Sequence, residues 1–248
     1  MRTPPGLASV FFALTLAAFA QPLPENMRLF LLIGQSNMAG RGQVEPQDKV
    51  PHPRVFMLTK ELAWVPAVDP VHFDKPERIG VGLARTFGAV VADADPAAVI
   101  GLVPAAFGGS ALDEWTPGAP HYVNAVARAR EAMKHGKLAG ILWHQGESDS
   151  KPELAATYAA RFARMIAQLR IELGAENVPV IVGETGRFRP DGAAVNAALA
   201  AVPQSVPRCA FVSAEGLADQ GDKLHFDAAA NRELGRRYAK AWLEMQSH

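Results

Sequence analysis

One cysteine, Cys209, is all that the 248 residues contain. A lone thiol excludes an intramolecular disulfide and a structural zinc site built on cysteine pairs. Charge of one sign is missing too, since 25 Lys and Arg offset 25 Asp and Glu. The chain therefore lacks both the basic footprint of a nucleic-acid binder and an acidic tail. Internal repeats, low-complexity tracts and linker-like stretches are absent. With 49% apolar residues the composition is that of an ordinary globular protein, not a disordered chain. Metal-ligand spacings such as H-x-H and H-E-x-x-H do not occur. Gly216–Gly221 has the outline of a phosphate loop, but Asp222 stands where its lysine is required. No metal and no cofactor is expected.

The exception to this even composition is the start. Residues 1–20 read MRTPPGLASVFFALTLAAFA, with Arg2 as a short positive start, an apolar stretch from Leu7 to Phe19, and Ala18-Phe19-Ala20 before Gln21. This is the pattern of a secretory signal peptide, with cleavage expected near Ala20-Gln21. A membrane anchor needs about 20 apolar residues, and this run is shorter and interrupted by Ser9 and Thr15. No cysteine lies near the cleavage point, which argues against a lipoprotein. The expected product is a secreted or periplasmic chain of residues 21–248 forming one domain.

That chain alternates short apolar runs with amphipathic stretches. Arg28–Ile33, Ala98–Val103, Ala139–Trp143, Val178–Val182 and Cys209–Val212 read as buried strands, and Arg54–Leu58 as a further short one. Gly82–Asp93, His121–His135, Pro152–Leu173, Gly192–Ala201 and Asp227–Met245 read as helices, with Pro152 suited to a first turn. Alternation of this kind implies a three-layer α/β/α sandwich around a parallel, flavodoxin-like sheet. In such a sheet, function collects in the loops at the carboxyl ends of the strands.

The loop after the first strand is Gly34-Gln35-Ser36-Asn37-Met38-Ala39-Gly40. Ser36 sits where a nucleophile would be presented, although a plain strand-to-helix turn with Ser36 or Asn37 as cap reads the same way. Met38 replaces the second glycine of the G-x-S-x-G elbow, so that motif is absent. After the second strand, Gly108-Gly109-Ser110 could turn backbone N–H groups toward an oxyanion or serve as a hinge. After the third comes Trp143-His144-Gln145-Gly146-Glu147-Ser148-Asp149, a polar cluster that packing does not explain. Near the end, Asp222-Lys223-Leu224-His225 spaces a carboxylate to turn onto an imidazole and fix its tautomer. Asp227 reads as the cap of the last helix.

Taken together, these blocks resemble the SGNH (GDSL-like) hydrolase superfamily, and within it the sialate O-acetylesterase-like, carbohydrate esterase family 6 branch that includes acetylxylan esterases. The resemblance runs from Leu29 to about Tyr238. It implies a secreted serine esterase removing O-acetyl groups from acetylated carbohydrate, with Ser36 as nucleophile, His225 as base and Asp222 orienting it. It further implies an oxyanion hole from the Ser36 N–H, a glycine N–H of Gly108 or Gly109, and the Gln145 side chain. Glu147 is a supporting residue in this reading. Ser110 replaces a threonine common at its position. The implied partner is the carbohydrate, with neither nucleic acid nor, after cleavage, membrane. Sialate O-acetyl groups, another acyl ester, acyl transfer, or a non-catalytic carbohydrate-binding protein of the same fold are the alternatives, and activity on a panel of acetylated substrates separates them.

Overall fold

An apolar run without alternation must be covered on both sides, and the computed structural model places strand β1 (Met27–Gly34) at the centre of its sheet. The structure describes residues 25–247; the export segment expected at residues 1–20 lies outside them. After β1 come the single turn α1 (Ser36–Ala39), β2 (Val55–Leu58), β3 (Trp64–Pro66), α2 (Ala84–Ala94), β4 (Ile100–Pro104) and α3 (Pro120–Ala132). The chain continues through β5 (Gly136–His144), α4 (Pro152–Glu172), β6 (Val180–Gly183), α5 (Ala193–Ala201), β7 (Cys209–Val212) and α6 (Ala228–Glu244).

The sheet has seven strands in the order β3-β2-β4-β1-β5-β6-β7. Every pairing is parallel except that of β3 with β2. The expected three-layer sandwich around a parallel sheet is what the structure has, with one antiparallel strand, β3, added at its edge. β3 is three residues long and ends on Pro66, which is too short for any periodicity to show.

Residues of β1 alternate between two cores. Leu29, Leu31 and Ile33 face the layer that holds Tyr122 and Val126 of α3, Phe162 and Ile166 of α4, and Val195 of α5. Phe30 and Leu32 face α2 and α6, among Phe87, Leu234, Tyr238 and Trp242. The Phe30 ring meets Phe87 edge-on at 4.8 Å and Trp242 at 5.1 Å. Each such side chain contributes about 1.5–3 kcal/mol by leaving water. α4 buries Ala155, Tyr158, Phe162, Met165, Ile166 and Leu169, the spacing of one helical face.

Where β1 and β5 end, the backbones close tightly. Gly34 has φ +133°, and a Cβ there would lie 2.2 Å from the carbonyl oxygen of His144. Only glycine fits, and its place next to Gln35 and Ser36 brings their loop against the end of β5. At the far edge Cys209 opens β7 half-buried, and burial pushes its thiol up to about 12. Among the described residues, no helix is long and apolar enough to cross a membrane.

Candidate active site

The loops that follow β1, β4 and β5 meet the loop before α6 at the carboxyl edge of the sheet. Ser36 opens α1 directly after β1, with Gln35 N–H donating to His144 O at 3.0 Å and Gly40 N–H to Ser36 O at 2.9 Å. The serine is 6% exposed, so its hydroxyl is presented in a fixed place.

His225 Nε2 lies 3.0 Å from Ser36 Oγ, and its Nδ1 lies 2.6 Å from Asp222 Oδ2. The D-x-x-H spacing works because the loop hydrogen-bonds to itself. Asp222 Oδ1 accepts from the N–H groups of Leu224 (2.9 Å) and His225 (2.8 Å), and Asp219 Oδ2 accepts from Gly221 and Lys223 N–H. Partial burial disfavours the Asp222 charge, yet the hydrogen bonds from His225 N–H, the His225 ring, Gln220 and Leu224 N–H outweigh it. They hold the carboxyl well below the usual carboxylate range. Asp227 caps α6, its carboxylate accepting from Ala230 N–H at 2.7 Å.

Asn37 ties this loop to β1. Its amide donates to Leu224 O at 3.1 Å and to Glu147 Oε1 at 2.5 Å, and its Oδ1 accepts from Phe226 N–H at 3.2 Å. Glu147 thus stands behind Asn37, which stands behind the histidine loop; its Oε2 is buried with no partner among the described residues. His144 is buried as well, and burial holds its imidazole neutral. The Tyr238 hydroxyl donates to Trp143 O at 2.8 Å, so His144 Nδ1–H donates to the phenol oxygen at 2.9 Å.

The two glycines of the β4 loop are not equivalent. Gly108 N–H donates to Asp74 Oδ2 at 2.8 Å, and Gly108 O accepts from Lys75 Nζ at 2.9 Å. Asp74 Oδ2 also accepts from Arg41 Nη2 at 2.8 Å in a pair that is 4% and 1% exposed. Burial works against the Asp74 charge, but Arg41 and Gly108 N–H keep its carboxyl ionised below the usual range. Gly108 is therefore corrected as an oxyanion donor: its N–H is spent on Asp74. Gly109, at φ +87°, takes a left-handed turn, and its own N–H has no acceptor among the described residues.

Gln145 is likewise corrected. It is fully buried and does not line the hollow at Ser36. Its amide donates to Ser110 O at 3.1 Å and Asp149 Oδ2 at 2.7 Å, and its Oε1 accepts from the Tyr158 hydroxyl at 2.7 Å. A buried amide takes the acceptors within reach, and Asp149 four residues on supplies one. Gln35 occupies the place instead. It lines the hollow, and its Oε1 accepts from Ser148 N–H at 3.3 Å. Ser110 Oγ accepts from Trp115 Nε1 and donates to Phe107 O, which removes it as an alternative nucleophile.

The hollow has a volume of about 220 Å³, with Ser36, His225, Gly108, Gly109 and Glu147 in its wall. Arg41, Lys75, Arg78 and Arg189 also line it. The sequence reading missed these four and Asp74: Asp74, Lys75, Arg78 and Arg189 come from loops distant in sequence, and Arg41, five residues after Ser36, belongs to no spacing that marks it. A hydroxyl, an imidazole and a carboxylate joined in this order, beside free N–H donors, can add the hydroxyl to an ester carbonyl and hold the resulting oxyanion.

Comparison with known proteins agrees with this chemistry. The sequence profile described as "Carbohydrate esterase, sialic acid-specific acetylesterase" matches residues 26–244. A probable carbohydrate esterase of Arabidopsis thaliana is 33% identical over 242 residues, covering 90% of this chain and 92% of that protein. An X-ray structure of an Arabidopsis thaliana protein superposes with a TM-score of 0.83 at 32% identity, covering 89% of this chain and 99% of that one. The crystal structure of NanS shares the fold, with a TM-score of 0.76 at 20% identity over 91% of this chain and 99% of that one.

Proposed function

Because the chain belongs to the sialic acid-specific acetylesterase family of carbohydrate esterases, we propose that it hydrolyses O-acetyl esters of carbohydrates through Ser36, His225 and Asp222. The observation that carries this is the unbroken line from Ser36 Oγ to His225 (3.0 Å) and from His225 to Asp222 (2.6 Å) at the hollow's wall. His225 Nε2 takes the hydroxyl proton as Ser36 Oγ bonds to the acetyl carbon, and Asp222 stabilises the imidazolium. The proton then passes to the departing sugar oxygen, leaving an acetyl-serine. Water deprotonated by His225 attacks it, and acetate leaves as Ser36 recovers its proton. The oxyanion is held by the N–H groups of Ser36 and Gly109 and by the Gln35 amide. Ser36→Ala is expected to lower kcat on an activated acetate ester by at least about 10³-fold. A fluorophosphonate should label Ser36 alone, and full activity in the variant would overturn the assignment.

Two readings of the sugar are separable. An acetylxylan-like neutral glycan follows from the resemblance. An acidic acetylated sugar, such as an O-acetyl sialate, is favoured by the cations of the hollow. Arg78 is exposed and has no carboxylate within ion-pair distance among the described residues, and Lys75 lines the same hollow, whereas Arg189 there is paired with Asp191. Acetate release from acetylated xylan and from O-acetyl sialosides decides between them. Under the acidic reading KM should rise with salt, because exposed charges are screened within about 8–10 Å at physiological ionic strength.

Residues 1–20 are proposed to direct export and to be removed near Ala20-Gln21, leaving residues 21–248 as one esterase domain. N-terminal sequencing of exported protein should begin near Gln21.

A further inference from the structure

We propose that a second hollow beside the first is a carbohydrate subsite, holding the sugar unit next to the acetylated one. The proposal rests on the esterase reading above. The hollow at Ser36 has a volume of about 220 Å³, below the roughly 300–1,000 Å³ of ordinary small-molecule sites. It accommodates an acetyl group and part of one ring, so the rest of a glycan must lie outside it.

The neighbouring hollow measures about 330 Å³ and is walled in part by His72, Asp74, Phe107 and His121. Asp74 divides the two. A Cβ at Gly108 would lie 3.5 Å from Ser36 Cβ and 2.8 Å from Asp74 Oδ2, so one peptide separates the hollows. Asp74 spends Oδ2 on Arg41 and Gly108, whereas Oδ1 is buried with no partner among the described residues. His72, 4% exposed, also leaves Nε2 without one. Burial pushes its imidazole down to about 3, so it offers neutral ring nitrogens, not a cation. Buried polar atoms without partners are exceptions in folded proteins. Two of them, on His72 and Asp74, stand in the wall of this hollow, so among the described residues its polar side is not fully bonded within the protein.

The apolar side is also present. Phe107 is 40% exposed, stacks on His121 with ring centroids 4.3 Å apart, and has Lys75 Nζ 5.7 Å from its centroid. An exposed ring beside a polar pocket suits a pyranose, whose C–H face is apolar and whose rim is polar. A third hollow, on the far side of Arg189, fits less well. Arg189 keeps an unpartnered Nε, but Glu184 already bonds Arg187, Ser213 and Ala214, and Asn196 bonds Thr185. The remaining wall is largely alanine and glycine.

Asn124 stands exposed on α3 at the rim of the proposed subsite and does not line the Ser36 hollow. Asn124→Trp would occlude the subsite from outside the core. Its kcat/KM should fall about tenfold on an acetylated oligosaccharide of four units, through KM, relative to 4-nitrophenyl acetate. Phe107→Ala, which removes the ring without filling space, should shift the same ratio in the same direction. Calorimetry of the unacetylated oligosaccharide with Ser36→Ala protein reports binding without turnover, and adding Asn124→Trp should abolish it. Parallel changes on both substrates, no change on either, or unaltered binding would overturn the subsite. Failure of the esterase reading looks different: the wild type would turn over neither substrate, while calorimetry would still report on the hollow.

Discussion

Gln35 and Gln145 carry the same amide within one residue of a strand end, yet their surroundings give them opposite tasks. Gln145 is sealed among Ser110, Asp149 and Tyr158; Gln35 lines the hollow and is held by one bond through its oxygen. Gln35→Ala is therefore expected to lower kcat by about 10²–10³-fold, the usual cost of one oxyanion donor, with the melting temperature unchanged. Gln145→Ala should act on the fold, since it strips partners from Asp149 and Tyr158. A loss of about 1–3 kcal/mol, or a few degrees in Tm, is expected for groups left buried and unpaired. Thermal melts and steady-state kinetics on both variants separate the two roles. Ser36, Asp222 and His225 became candidates through the resemblance of their sequence blocks to a family, since a serine after a buried strand and an Asp-x-x-His turn are weak signals when each is taken alone. The choice between two glutamines and between Gly108 and Gly109 was not legible in the sequence, because it depends on Asp74, Arg41 and Asp149, which reach these groups only through the fold.

Among elements, long buried runs read well. β1, β4, β5 and α4 lie within a few residues of their expected places because burial on both faces, or on one helical stripe, leaves a pattern. β3 leaves none: its three residues are defined by pairing with β2 alone. The loop between β7 and α6 works as an element in its own right, closed by Asp222 and Asp219 and fastened to α1 by Asn37. Asn37→Ala should loosen that fastening and misplace His225 relative to Ser36. The expected outcome is a kcat reduced by about 10–100-fold, in the range that misplacement of a reacting group produces, with KM little changed. A proportionate slowing of fluorophosphonate labelling at Ser36 would tie the loss to the nucleophile.

For the molecule as a whole, carboxyls with shifted titration pull its acid stability in two directions. Asp74 and Asp222 titrate below their unfolded value, so their stabilisation is present above about pH 4 and is lost as pH falls through the folded values. Asp69 behaves oppositely. Burial raises its carboxyl to about 7, against the pull of one hydrogen bond from Gly82 N–H. The folded state then binds the extra proton, and Asp69's contribution, full below about pH 4, is lost as pH rises toward 7. Asp69→Asn keeps an acceptor for Gly82 and does not titrate. Its Tm advantage over wild type should widen from pH 5 to pH 8 by a few degrees, as melting curves at constant ionic strength would register. The half-buried Cys209 has a practical consequence of another kind. A thiol held near 12 is almost wholly protonated at neutral pH, and maleimides react with the thiolate. The native chain is thus a ready blank for fluorescence work. A cysteine introduced at Val50, which is 61% exposed, would take the dye selectively, with no need to replace the native one.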